Sequence, residues 1–161
     1  MKQGARALGI AESTADQQSV VAGCVARADH RVEEFCFDQW TVGGTDATAT
    51  VLDLFDRLDR EDLQYLLLAG IAPAWFNVLD IREIHAATDL PTLSVSFEES
   101  EGLAEAIRAG FDAPAAVDAR LETYRAQPER RPLTVNGETV FVRSVAARAA
   151  ADWFDRVASR Q

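Results

Sequence analysis

Tyr65-Leu66-Leu67-Leu68-Ala69 is an unbroken apolar run, the pattern of a strand buried on both faces within a parallel sheet. What lies before it decides the fold. Arg6-Ala7-Leu8-Gly9-Ile10 is short and apolar, and Val20-Val21-Ala22-Gly23-Cys24-Val25 is continuous and β-branched, suiting a buried strand. Val32 to Val42 carries Phe35, Phe37, Trp40 and Val42 after the polar turn Ala28-Asp29-His30-Arg31, so these two strands are expected to pair as an antiparallel hairpin. Between them and Tyr65 the period changes. Thr45 or Asp46 can cap a helix whose apolar stripe is Val51, Leu52, Phe55 and Leu58.

Downstream, Phe76 to Ala87 reads as an amphipathic helix with Val78, Leu79, Ile81 and Ile84, and Pro91 opens a strand Thr92–Ser96. Ser100 is placed to cap a helix ended by Gly110, and Pro114 to Arg125 forms another. Asn136-Gly137 is a hairpin turn, which sets Leu133 across from Val140. The Ala-rich stretch from about Val145 to Ser159 reads as a last helix. The order β-β-β-α-β-α-β-α-α-β-β-α predicts an α/β protein: a mixed sheet, three antiparallel strands followed by βαβ units, with flanking helices. It matches a ribonuclease H-like architecture better than a doubly wound sheet, which would begin βαβ. No Gly-x-Gly-x-x-Gly follows the first strand and no Gly-x-x-x-x-Gly-Lys occurs, so nucleotide-loop functions lose support.

The 161 residues suit a single domain, 1–161, and 48% hydrophobic content excludes disorder as the main state. No apolar run reaches the roughly 18–20 residues that span a bilayer, and Met1-Lys2-Gln3-Gly4 lacks the apolar core of a secretion signal. A cytoplasmic protein without membrane contact is expected. Cys24 and Cys36 make neither a disulfide framework nor a zinc pattern. The net charge is -10, and the basic residues are 15 Arg with a single Lys, Lys2. Lysine depletion with added carboxylates is the composition of proteins from salt-loving archaea, while a GC-rich genome alone would also favour Arg. At about 1 M salt the Debye length is only about 3 Å, so the acidic balance does not exclude a nucleic-acid partner.

Ligand sites in such sheets lie beyond the carboxyl ends of the parallel strands. Those ends here are Ile10-Ala11-Glu12-Ser13 and Leu68-Ala69-Gly70-Ile71, the second running into Trp75-Phe76-Asn77-Val78-Leu79-Asp80. Trp75 and Phe76 are either a base-stacking platform or the rings that dock a helix on the sheet. They could also seat a second copy of the chain, making a homo-oligomer. Arg125, Arg130 and Arg131 form a basic cluster suited to phosphate. His30 and His85 read as turn and helix-surface residues, and the acids Glu98, Glu99 and Glu101 as helix-start residues, with metal binding, above all by Glu98, the alternative.

Gly9-Ile10-x-Glu12-Ser13, Val42-Gly43-Gly44-Thr45-Asp46-Ala47-Thr48 and Gly70-Ile71 through Ile81 together resemble an archaeal family similar to endonuclease V, whose members are called endonuclease dU. The resemblance covers about residues 4–145, and Phe76-Asn77-Val78-Leu79-Asp80 is its most specific part. It implies a ribonuclease H-like fold and metal-dependent cleavage of DNA carrying deaminated bases such as uracil. Glu12 and Asp80 are then the catalytic and metal-binding carboxylates for Mg²⁺ or Mn²⁺, and Ser13, Trp75, Phe76, Asn77, Arg130 and Arg131 the nucleic-acid contacts.

The chain departs from the family pattern at two acids. Where the family's first strand ends Gly-Ile-Asp-Asp-Ser this sequence has Ala11-Glu12, and where many members read Asp-Gly-Ile it has Ala69-Gly70-Ile71. The family's Pro-Glu-Pro-Leu-Arg segment is also missing before Gln161, which reads as a divergent or truncated C-terminus. Two-metal cleavage needs several carboxylates, so two functions follow: a nuclease working with a reduced set, or a catalytically degenerate module that binds nucleic acid or nucleotide. Independently of function, the carboxylate excess makes the compact state self-repelling. The thermal midpoint in calorimetry is therefore expected to rise steadily from 0.1 M to about 2 M KCl, and a flat profile would refute the expectation.

Overall fold

The structure, a computed structural model, describes residues 4–146. Its strands are β1 Arg6–Ala15, β2 Gln18–Arg27, β3 Val32–Thr41, β4 Leu63–Ala69, β5 Thr92–Ser96, β6 Arg131–Val135 and β7 Glu138–Val145. The helices are α1 Ala47–Leu58, α2 Pro73–Phe76, α3 Ile81–Thr88, α4 Ala104–Gly110 and α5 Pro114–Arg125. The strands make one sheet in the order β3-β2-β1-β4-β5-β7-β6. β1, β2 and β3 are antiparallel, β1, β4 and β5 are parallel, and β7 returns antiparallel to β5. This is the mixed sheet expected from the element order. Leu133 faces Val140 across the β6–β7 hairpin, as the Asn136-Gly137 turn dictates.

The core lies between one face of the sheet and helices α1 and α3. Leu8, Ile10, Val21, Val25, Trp40, Leu66 and Leu68 point into it from the strands, and Val51, Leu54, Leu58, Ile81 and Ile84 meet them from the helices. Side chains alternate across a strand, so the other face of β2 and β3 presents Val20, Phe35 and Phe37, all exposed, with the two phenyl rings stacked. β2 is thus buried on one face only; its continuous apolar run does not mark a strand covered on both sides.

Two other elements differ from the sequence reading, and a third falls almost wholly outside the described residues. The helix expected over Phe76–Ala87 begins only at Ile81, where Asp80 caps it by accepting from the Arg82 and Glu83 amides. Before it, Ala74, Trp75 and Phe76 all have positive φ, which breaks the apolar stripe into a single distorted turn and an extended link. The helix expected from Ser100 starts at Ala104, and the Ser100 hydroxyl instead accepts from the Gly102 amide. β7 runs to Val145, and the remainder of the last expected helix lies outside the described residues.

A buried amide joins these pieces. Asn77 is fully buried, and its Oδ1 accepts from the Ala47 amide at the start of α1. Its Nδ2 donates to the Thr41 carbonyl at the end of β3 and to Asp46 Oδ1. Asp46 does not cap α1 with its side chain; it accepts from the Thr41 amide and hydroxyl. Burial pushes the Asp46 carboxyl upward, but the donors from Thr41 and Asn77 outweigh it and hold the group below the usual carboxylate range. A carboxyl depressed in the folded state contributes stability that is present above its unfolded pKa and is lost as pH falls through the folded one. Asn77→Ala strands the buried Ala47 N–H and removes the donors to Asp46 and to the Thr41 carbonyl, which keeps the Gly44 amide, and we expect a loss of about 2–4 kcal/mol in urea unfolding at pH 7. The loss is expected to shrink below about pH 4, where Asp46 is protonated in the unfolded chain; a cost under about 1 kcal/mol at pH 7 would show that Asn77 is not the bracket.

Candidate functional site

The carboxyl ends of β1, β4 and β5 open into a cavity of about 590 Å³. Its floor is Glu12, Ser94 and Ser96, its rim the 69–73 link and the 98–103 loop, and its far wall Tyr124, Arg130, Phe141 and Arg143. This is where a parallel sheet of this topology places a ligand.

Glu12 is the acid that reaches the cavity from β1, and its oxygens are already engaged. Oε2 accepts from the Ser19 hydroxyl at 2.6 Å and from Trp40 Nε1 at 2.8 Å, while Oε1 accepts from the Ala74 amide at 2.9 Å. The Thr14 hydroxyl supports the first of these by donating to Ser19 Oγ. The Ala74 bond lies within the tract of left-handed residues, where each non-glycine costs about 1–2 kcal/mol. The tract is held from two more sides: the Gly43 amide donates to the Ala74 carbonyl at 2.6 Å, and Trp75 Nε1 donates to the Gly110 carbonyl at 3.1 Å. Gly43 itself has φ +69, a conformation that suits glycine.

The other expected site residues are scattered. Asp80 is the cap of α3 and does not line the cavity. Ala11 and Ser13 are exposed on the face of β1 opposite Glu12. Asn77 is the buried bracket described above and is closed to a ligand. Trp75 keeps 58% of its surface exposed and tilts against Phe76, with ring centroids 5.3 Å apart. Phe76 makes an edge contact with Phe111, so these rings dock the α4–α5 connection beside the cavity. Arg130 is in the cavity wall, whereas Arg131 points away and pairs loosely with Glu129 at 3.7 Å.

The sequence reading missed Ser94, Ser96, Tyr124, Phe141 and Arg143. Their signal was the antiparallel register of β7 on β5, which sets Ser94 beside Arg143 and Ser96 beside Phe141. It also missed Arg120, which is 8% exposed, lies over Phe111 at 4.0 Å and donates to the Gly43 and Gly44 carbonyls. Burial lowers its pKa. Its role is to fix the turn on which the Ala74 carbonyl rests.

These residues do not fit a two-metal centre. Glu12 spends three acceptor positions on neutral donors, Asp80 is committed to a helix cap elsewhere, and positions 11 and 69 carry methyl groups. Among the described residues no group of three His, Cys, Asp or Glu side chains is placed to hold a metal ion.

The chain has a ribonuclease H-like fold, the fold of endonuclease V. Human endonuclease V superposes with a TM-score of 0.53 at 12% identity, covering 87% of this chain and 69% of that one. Endonuclease V of Ciona intestinalis, bound to a DNA containing an inosine followed by a ribo-adenosine, gives 0.52 at 11% identity over 88% and 71%. A protein of unknown function from Archaeoglobus fulgidus gives 0.79 at 23% identity over 94% and 86%. Residues 3–154 match the family described as endonuclease dU, and the chain belongs to that family. A UPF0215 protein of Pyrobaculum calidifontis is 33% identical over 141 residues, 85% of this chain and 76% of that protein. One from Pyrobaculum aerophilum is 36% identical over 107 residues, 65% and 57% respectively.

Glu12→Ala leaves the Ala74 amide, Trp40 Nε1 and the Ser19 hydroxyl without their acceptor. We expect it to destabilise the fold by about 2–4 kcal/mol and to speed deuterium exchange at the Ala74 amide more than at the strands. Unchanged exchange at Ala74 would show that the carboxylate does not hold the tract.

Proposed function

We propose that this chain is a binding member of its family: it takes nucleic acid or a nucleotide at the strand-end cavity and does not cleave by a two-metal route. The observation that carries this reading is the Glu12 carboxylate, which closes a structural clamp on Ser19, Trp40 and Ala74. Family membership and the DNA-bound Ciona neighbour support a nucleic-acid ligand. The half-exposed Trp75 ring beside the cavity offers a stacking face for a base, within the range of about 1–3 kcal/mol per stacked base.

A second reading has one specific observation in its favour. Glu98 lines the same cavity as Glu12, and the pair is a reduced carboxylate set for an endonuclease acting on uracil- or other deaminated-base DNA with Mg²⁺ or Mn²⁺. One assay separates the two. Uracil- and hypoxanthine-containing oligonucleotides are incubated at 0.1 M and 2 M KCl with Mg²⁺ or Mn²⁺, following nicking on gels and binding by Trp75 fluorescence. Binding without nicking is the expected result. Nicking that disappears in a folded Glu98→Gln protein would establish the nuclease, and no binding to either oligonucleotide would overturn the first reading.

A further inference from the structure

The far wall of the cavity holds two arginines without carboxylate partners, in a strongly acidic chain. The sequence has 26 Asp and Glu against 16 Lys and Arg, and Arg6, Arg27, Arg57 and Arg60 all find carboxylates. Arg130 and Arg143 do not, and among the described residues they share this with Arg82, Arg120 and Arg125; what sets the two apart is that both line the cavity. Arg130 donates to the Ser100 carbonyl, to the Ser96 hydroxyl and to the Glu98 main-chain carbonyl. Arg143 donates to the Pro128 carbonyl at 2.7 Å and to the Tyr124 hydroxyl at 3.3 Å. Each guanidinium has five N–H donors, so both keep donors uncommitted.

Aromatic rings fix their planes. Arg130 lies over Phe141 at 4.1 Å and Arg143 over Tyr124 at 5.2 Å, leaving little side-chain freedom to lose on binding. A third donor lines the same cavity beside Arg143. Ser94 is 4% exposed, lines the cavity and neighbours Arg143 across the β5–β7 ladder. Its hydroxyl makes no hydrogen bond among the described residues and is open to the cavity. Two cations without carboxylate partners and a hydroxyl open to the same cavity suit a ligand rich in acceptors and negatively charged. Glu12, on the opposite floor, sets the ligand's direction by keeping the anionic end on the arginine side. The volume of about 590 Å³ is that of an ordinary small-ligand site.

We infer that the cavity seats a phosphate group directly on Arg130, Arg143 and the Ser94 hydroxyl, as a guanidinium site and not as a metal-bridged one. The phosphate belongs either to a free nucleotide or to a nucleic-acid backbone; forked guanidinium bonding suits both. The inference rests on the proposed function in taking this cavity as the ligand site, and it adds the group that is recognised and the residues that recognise it.

Calorimetric titration of the full chain with inorganic phosphate, 5′-dUMP and a uracil-containing single-stranded oligonucleotide tests it. We expect Arg130→Gln and Arg143→Gln each to weaken binding about tenfold and Ser94→Ala about threefold, with circular dichroism confirming the fold. Each lost arginine is expected to lower the salt dependence of oligonucleotide binding by about one unit of slope. Lys at either position, which keeps the charge and loses the fork, is expected to recover only part of the affinity and serves if a Gln protein fails to fold. Equal sensitivity of 5′-dUMP and oligonucleotide marks the nucleotide as the source, and loss for the oligonucleotide alone marks the backbone. Oligonucleotide binding that is unchanged in the folded double variant overturns the phosphate seat and leaves the proposed function standing. Arginine-dependent binding of phosphate and 5′-dUMP without any oligonucleotide binding supports the seat and overturns the nucleic-acid reading. No binding of any of the three probes overturns both.

Discussion

The carboxamide of Asn77 is the constraint on which the strand ends depend. It is buried without access to water, and an unpaired amide there would cost about 1–3 kcal/mol for each stranded group. Its partners are the last residue of β3, the carboxylate that follows it and the first amide of α1. To reach them the chain leaving β4 must turn inward at residue 77, and the left-handed run Ala74–Phe76 is the turn that takes it there. Glu12 then closes the run from the β1 side. The Glu12 carboxylate is thereby part of the scaffold that shapes the cavity.

The same constraint explains what the sequence could and could not disclose. The period-2 and unbroken apolar runs located the first five strands, and Asn136-Gly137 set the last hairpin down to the Leu133–Val140 pair, because these signals are local. The Phe76–Ala87 stripe was equally local and misled: Val78, Leu79, Ile81 and Ile84 have helical spacing, yet the tertiary bonds of Asn77 override it. Glu12 was identifiable by its place after β1, but its three donors come from residues 19, 40 and 74, and no spacing rule joins those positions. Arg143 and Ser94 are 49 positions apart, and only the β5–β7 register brings them together.

The two ends of the parallel strands treat charge oppositely. At the start of β1, Arg6 and Arg60 bond Glu33 and Asp62, and Arg6, then Arg60, holds the Glu33 carboxyl below its usual range. These pairs are partly exposed, so each contributes little to stability; their effect is to leave no cation uncommitted there. At the other end Arg130 and Arg143 meet carbonyls, hydroxyls and rings.

A cationic wall inside a chain of net charge -10 acts only at short range. Beyond a Debye length of about 8 Å at physiological ionic strength an approaching polyanion experiences the acidic surface, which slows association and removes the long-range attraction common in nucleic-acid binders. Salt then has two opposing effects: it screens the repulsion of the whole surface and weakens the direct phosphate contacts. Guanidinium forks backed by aromatic rings lose less to screening than flexible surface lysines do, because their donors are prepositioned and partly shielded from water. A chain with 15 Arg and one Lys that places Arg130 and Arg143 on aromatic backing in one cavity wall therefore has the chemistry to hold an anion by contact geometry where its overall field opposes it.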